Sequence, residues 1–476
     1  MKKKYDAVIV GAGPNGLAAA ITIARAGHSV LVLEANETIG GGARSAQLTL
    51  PRFIHDPCSA IHPLALASPF FKALPLEKFG LDWIHPAAPL AHPLDDGTVI
   101  ILERSIDATA AQLGRDARAY ARLYSPFVRG AEKFVVDLLG PLPLPPRDAI
   151  LFTRFGVNAL LPASLLARFI FRDVRARALF AGMSAHSMLS LDAPITSAFG
   201  LTLGILGHSV GWPLPRGGAQ KIADALAGYL KSLGGEIVAN QRVTSLDELP
   251  RAHAILFDTT PREFLNIARD RVRGIYRAQL KNFRYGAGVF KMDWALDAPI
   301  PWQAQECLRA GTVHLGGTLE EIAASERAVA RGAVSARPYV LLAQQSLFDP
   351  SRAPAGKHTA WAYIHVPNNW NGDATKIIEN QIERFAPGFR ARILARHAYT
   401  PAQMEQHDAN FVGGDINAGA QNLFQLYTRP AWNFLNPYAT SLRGIYLCSS
   451  STPPGGGVHG MCGYYAARAA LREIFQ

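Results

Sequence analysis

The chain predicts an α/β architecture in which a parallel-sheet domain shaped for a dinucleotide is interleaved with a second, α+β domain. Three observations predict it. An apolar run, Tyr5–Val10, breaks into Gly11-x-Gly13-x-x-Gly16, turns into an alanine-rich helical pattern, and is followed by a second apolar run, Ser29–Leu33, and Glu34. A second glycine-rich strand-to-helix junction, Pro453–Gly463, lies near the other end of the sequence. The 476 residues between and around them are too many for one compact core.

The first unit has a physical role for each part. Gly11 permits a tight turn, Gly13 lets backbone approach a pyrophosphate, and Gly16 lets the helix pack on the strand. A helix starting near Pro14 would present unpaired N–H groups and a positive dipole end to phosphate. Glu34 ends the second strand about 20 residues after the glycines, where a carboxylate can accept from ribose hydroxyls.

Further along, Gly40-Gly-Gly-Ala-Arg44-Ser extends the unit, and prolines punctuate residues 51–101. Helical periodicity is expected over 108–139, with a proline break at 141–146. Residues 150–180 are strongly apolar and carry arginines at 147, 154, 168, 172, 175 and 177. Such a stretch suits a membrane interface, or else core helices whose arginines face water; both readings stay open. An amphipathic helix is predicted over 219–233, capped by Gly234. Strands are expected at 236–238 and 254–260. Residues 285–405 mix both periodicities, and Ile445–Cys448 reads as a strand leading to a final helix that begins near Gly460 or Gly463. The expected domains are 1–60, 216–285 and 411–476 for the dinucleotide, and 61–215 with 286–410 for the other.

With 49% hydrophobic and 18% charged residues the chain reads as globular. Four cysteines, Cys58, Cys307, Cys448 and Cys462, form no CxxC pair, so a redox disulfide and a zinc site are not expected. Reduced thiols fit the cytoplasm, with 147–177 offering contact to the inner membrane surface. The basic start Met1–Lys4 imitates a signal peptide, but the glycine turn that follows argues against cleavage. No apolar run is long enough to span a membrane. The formal charge of +11 leaves anionic partners open, while scattered basic residues give nucleic acid no motif. The oligomeric state is left open.

Taken together, Val8–Gly16, Glu34 with Gly40–Ser45, Trp212–Gly218, Gly413–Gly419 and Gly444–Gly463 resemble the phytoene desaturase and carotenoid isomerase group of FAD-dependent oxidoreductases. The branch labelled pyridine nucleotide-disulfide oxidoreductase domain-containing proteins is the most similar in pattern. The resemblance implies a Rossmann-like FAD-binding domain and an interleaved α+β substrate domain. It implies that Gly11, Gly13, Gly16, Glu34, Gly42 and Arg44 contact the adenosine and pyrophosphate. It puts Val243, at the start of a strand, against adenine, and Gly456, Gly457, Val458 and Met461 along the flavin. Ser449–Ser451 and Pro453 depart from the group's Gly-x-Gly-Thr-His-Pro-Gly, so a proton-transfer role for that histidine does not carry over. No second GxGxxG follows a strand, which leaves oxygen or a quinone as the expected electron acceptor.

The activity so implied is hydride transfer from a long apolar, polyene-like substrate to flavin N5, with desaturation as the outcome. Redox-neutral isomerisation by reduced flavin and a catalytically silent flavin-containing scaffold stand as alternatives. His459, inside the second glycine loop, is the catalytic candidate, against a histidine bonded to loop backbone. His186, His208 and Trp212 are candidates to line a substrate channel, against plain core packing. His55, His62, His85 and His92 are loop histidines without metal-site spacing.

Overall fold

A computed structural model describes residues 4–141 and 145–476; residues 1–3 and the middle of the expected proline break lie outside them. Among the described residues fourteen strands follow in chain order: β1 Lys4–Val10, β2 Val30–Leu33, β3 Trp83–Ile84, β4 Ala88–Pro93, β5 Val99–Leu102, β6 Leu214–Pro215 and β7 Glu236–Val238 come first. Then come β8 Arg251–Phe257, β9 Gly288–Leu296, β10 Ala310–Leu315, β11 Val340–Ala343, β12 His358–Val366, β13 Ile393–Tyr399 and β14 Ile445–Leu447.

Five of them form a wholly parallel sheet in the order β14-β8-β1-β2-β7. Both faces must be covered, because a parallel sheet made of runs such as Val-Leu-Val-Leu has no polar face to show water. Helices Pro14–Arg25, Gln220–Ser232 and Met461–Ile474 cover one face, packing Leu17, Leu226 and Ala466 over Ala7 and Ile9. Helix Pro261–Ala268 covers the other, with Phe264 against Val8, Val10 and Phe257. The strand expected over 254–260 runs instead over 251–257. Asp258 leaves the sheet to bond the first helix, and Pro261 opens the next helix.

The second sheet is seven-stranded, ordered β13-β9-β12-β11-β10-β4-β5, and antiparallel except for the β10–β4 pair. Alternation along β9 sends Phe290, Met292 and Trp294 towards helix Thr375–Phe385. On the opposite face five helices, Ala117–Arg129, Ala149–Ala159, Ala163–Ile170, Val174–Ala185 and Thr196–Ser209, build the largest core cluster. The single periodicity expected over 108–139 is cut into pieces, with breaks at Gln112 and Gly130.

Two contacts knit these parts. Gly463 lies so close to the first helix that a Cβ there would stand 1.8 Å from the Asn15 carbonyl oxygen. Asp56 and Arg352, both wholly buried, join the loop after β2 to the turn before β12 at 2.6 Å.

Candidate functional site

A cleft of about 1010 Å³ opens outside the carboxyl ends of β1, β2 and β8, where a parallel sheet offers its crevice. Gly11 takes φ +104° to turn the chain out of β1, a conformation that carries a steric cost for any side chain. Gly13 then comes so near Asp258 that a Cβ would stand 2.7 Å from Oδ2. Pro14 occupies the first turn of the helix, where its missing N–H costs nothing. Glu34 is buried at the end of β2 and is fixed there by two backbone donors: Ala12 N–H donates to Oε2 and Asn36 N–H to Oε1, each at 2.9 Å.

Gly11, Gly13, Glu34, Gly42 and Val243 of the expected residues line this cleft together, with Asn15, Asp408, Asn410, Ser449 and Ser450. Val243 lies in the loop after β7 and not at the start of a strand, because the chain bends there to bring Gln241 N–H onto the Glu34 carbonyl. Gly16 stands behind the lining, its nearest neighbour the Gly11 carbonyl. Arg44 is beside the cleft with its guanidinium spent on the Gly41 and His407 carbonyls, so it shapes the wall.

The C-terminal loop departs from expectation. Gly456, Gly457, Val458 and Met461 do not line the cleft; Gly456 faces Asn417 and Gln421, and Gly457 faces Leu64. The final helix starts at Met461, and its leading N–H donates to His459 Nδ1 at 3.0 Å. His459 Nε2 meets the Gly455 carbonyl at 3.2 Å. Both ring nitrogens of His459 are therefore engaged by loop backbone, and burial pulls its pKa down to about 4. It is a neutral side chain bonded to loop backbone, the arrangement set against the catalytic role in the sequence.

His186 and Trp212 meet edge-on, with ring centroids 6.1 Å apart, and His186 Nε2 lies 3.1 Å from His314 Nε2. Burial lowers the His186 pKa to about 3. His208 is elsewhere in the same core, bonded to the Tyr120 hydroxyl at 2.8 Å. None of these three lines the described cleft.

Sequence reasoning missed Asp258. It follows β8 directly, a position at a strand's carboxyl end that invites attention in any parallel sheet. Its Oδ2 accepts the Gly16 N–H at 2.8 Å. Burial, with the nearby Asp408 and Glu34 carboxylates, pushes its pKa up to about 8. Also missed was a buried ionic group. Lys291 Nζ bonds Asp293 and, at 2.8 Å, the Asp56 carbonyl, while Asp56 Oδ1 accepts from Ser45 Oγ and Ala219 N–H. Burial raises the Asp56 carboxyl, yet the Arg352 guanidinium with the Ser45 and Ala219 hydrogen bonds outweighs this and holds it below the usual range.

The family profile of the NAD(P)-binding Rossmann-like domain matches residues 9–72, the stretch that carries the glycine turn and Glu34. Over the whole chain the sequence is 27% identical to mouse (Mus musculus) pyridine nucleotide-disulfide oxidoreductase domain-containing protein 2, covering 94% of that protein. It is 26% identical to the lycopene-forming phytoene desaturase of Pseudescherichia vulneris, covering 98% of each chain. The chain is homologous to both. Its fold is that of an oxidoreductase from Methanosarcina mazei, with a TM-score of 0.65 and 16% identity over 98% of this chain and 100% of the other. The resemblance read from the sequence, and the Rossmann-like fold it implied, hold.

Proposed function

We propose that this chain oxidises a long apolar substrate, with desaturation as the reaction, using FAD. The carrying observation is the composition of the cleft. Its lining combines a dinucleotide site, with the glycine turn, Glu34 and Asn36, and apolar side chains, among them Phe411, Ile416 and Ala418. FAD is the cofactor of this oxidoreductase. The residues fit it: a Cβ at Gly13 would fill the approach to the helix N-terminus, and Glu34 stands preset at the end of β2. When bound, the flavin supplies a hydride acceptor.

The chain's own residues bind, orient and exclude water. Ala12 and Asn36 hold the Glu34 carboxylate in place for ribose hydroxyls. The N-terminus of helix Pro14–Arg25 offers the Asn15 N–H and its positive dipole end to the pyrophosphate, Pro14 having no N–H and the Gly16 N–H being held by Asp258. Asp258, mostly protonated at neutral pH, sits beside that anion without a full opposing charge. Phe411 and Ile416 add apolar surface to the lining, which favours a hydrocarbon over a charged substrate. Homology to a phytoene desaturase supports this substrate class. Oxygen or a quinone is the proposed electron acceptor.

The test is a visible spectrum of the purified protein, then anaerobic mixing with detergent-solubilised phytoene and, separately, with a small primary amine. Release of FAD on heating and bleaching by the hydrocarbon are expected. Bleaching by the amine alone would overturn the substrate class. Isomerised product without bleaching would replace desaturation with a redox-neutral reaction.

A further inference from the structure

The helices Ala149–Ala159 and Ala163–Ile170 are apolar on two faces. Leu151, Phe155, Leu166 and Ala167 point into the core against Tyr124, Phe127 and Phe134. On the outer face stand Ile150, Val157, Leu160, Leu165, Phe169 and Val174, all exposed; Phe169 is 86% and Ile150 84% accessible. Single exposed apolar residues are ordinary, but six large ones within one stretch of 25 residues form a patch of the kind that marks an interaction surface.

Arginines surround this patch. Ile150, Arg154 and Val157 share one helical stripe. Arg154 donates to the Arg122 backbone carbonyl at 3.0 Å, and both residues are exposed. Arg115 donates to the Arg172 backbone carbonyl at 3.0 Å, and these two are exposed as well. Arg168, beside Phe169, faces Glu320 at 3.4 Å. The one carboxylate within the stretch, Asp173, pairs with Arg175, and the neighbouring Asp116 accepts the Arg172 and Asp173 N–H groups.

We propose that this face docks on the surface of an anionic lipid bilayer. An apolar centre inside a basic rim matches acyl chains lying beneath negative headgroups. A second copy of this chain, meeting the patch through a two-fold axis, would set arginine against arginine. The geometry also fixes how it binds. The two helices have 11 and 8 residues and meet at a bend of 105°. The longer reaches about 16 Å at 1.5 Å per residue, against about 30 Å of hydrocarbon, so the pair lies in the interface and does not cross it. Among the described residues no single helix is long and apolar enough to cross a membrane. This inference stands on the surface alone and does not depend on the substrate.

The experiment is flotation of the whole protein at low salt with two vesicle types, pure phosphatidylcholine and phosphatidylcholine carrying one-quarter phosphatidylglycerol. We expect the wild type to float with the anionic vesicles, about tenfold less with the neutral ones, and to be released at high salt. Ile150→Ser with Phe169→Ser, and separately Arg154→Glu with Arg168→Glu and Arg172→Glu, should each abolish flotation at unchanged melting temperature. Wild type left at the bottom of both gradients overturns the proposal without reference to any variant. So does flotation of both variants at the wild-type level. A wild-type dimer that Phe169→Ser converts to monomer would assign the face to a second copy instead.

Discussion

Arg352 Nη2 donates to Asp56 Oδ2 at 2.6 Å, and neither side chain has any solvent exposure. The pair ties the segment that carries the glycine-rich extension to the seven-stranded sheet. Removing one member leaves the other charge buried and uncompensated, which costs about 3–5 kcal/mol in comparable pairs. Arg352→Met should lose that much in urea unfolding, and the double variant with Asp56→Asn should lose less than the sum of the two single changes.

Gly463→Ala is expected to destabilise the protein by about 1–3 kcal/mol, read as a lower melting temperature. The added methyl would sit 1.8 Å from the Asn15 carbonyl oxygen, which belongs to backbone and cannot rotate away. Because Asn15 also lines the cleft, FAD affinity should fall with the same change.

Glu34→Ala removes the acceptor for Ala12 N–H and Asn36 N–H together with the ribose partner. A charge-assisted hydrogen bond is worth about 1.5–3 kcal/mol, so FAD should bind roughly 10- to 100-fold more weakly. Flavin fluorescence titration measures it.

Asp258 sets a pH dependence. Its pKa of about 8 in the folded chain lies above its ordinary value of 3.8, so the folded state holds the proton more tightly than the unfolded state does. Its contribution to stability is therefore complete in acid and is lost as pH rises towards 8. The charged groups around it are Glu34 and Asp408, with Arg44 and Arg242 facing Asp408. Asp258→Asn should flatten the fall in melting temperature between about pH 4 and 8 relative to wild type. It should likewise flatten the weakening of FAD binding above pH 8, since the ionised carboxylate no longer opposes the pyrophosphate.

What the sequence made legible was local. The strand–turn–helix–strand unit rests on residues within one stretch, where apolar period and glycine spacing agree, and the structure has it at Lys4–Leu33. The amphipathic helix over 219–233 appears at Gln220–Ser232 for the same reason. Contacts between distant residues left no such trace. Asp56 and Arg352 are 296 residues apart, and nothing in the spacing of either announces the other. His459 shows a subtler limit. Its position in a glycine loop suggested chemistry, yet the Met461 N–H and Gly455 carbonyl take both nitrogens, a fact that only the folded loop contains.

The sheet of the cleft is finished by β14, which pairs with β8, and the helix that follows rests on the helix at the glycine turn. The brace of the glycine turn thus comes from residues more than 400 positions away in the chain. Removal of the chain from Ile445 onward would leave β8 as a bare sheet edge and the Ala7 and Ile9 face half covered. Such a loss should be as damaging to the cleft as the loss of the glycine turn itself.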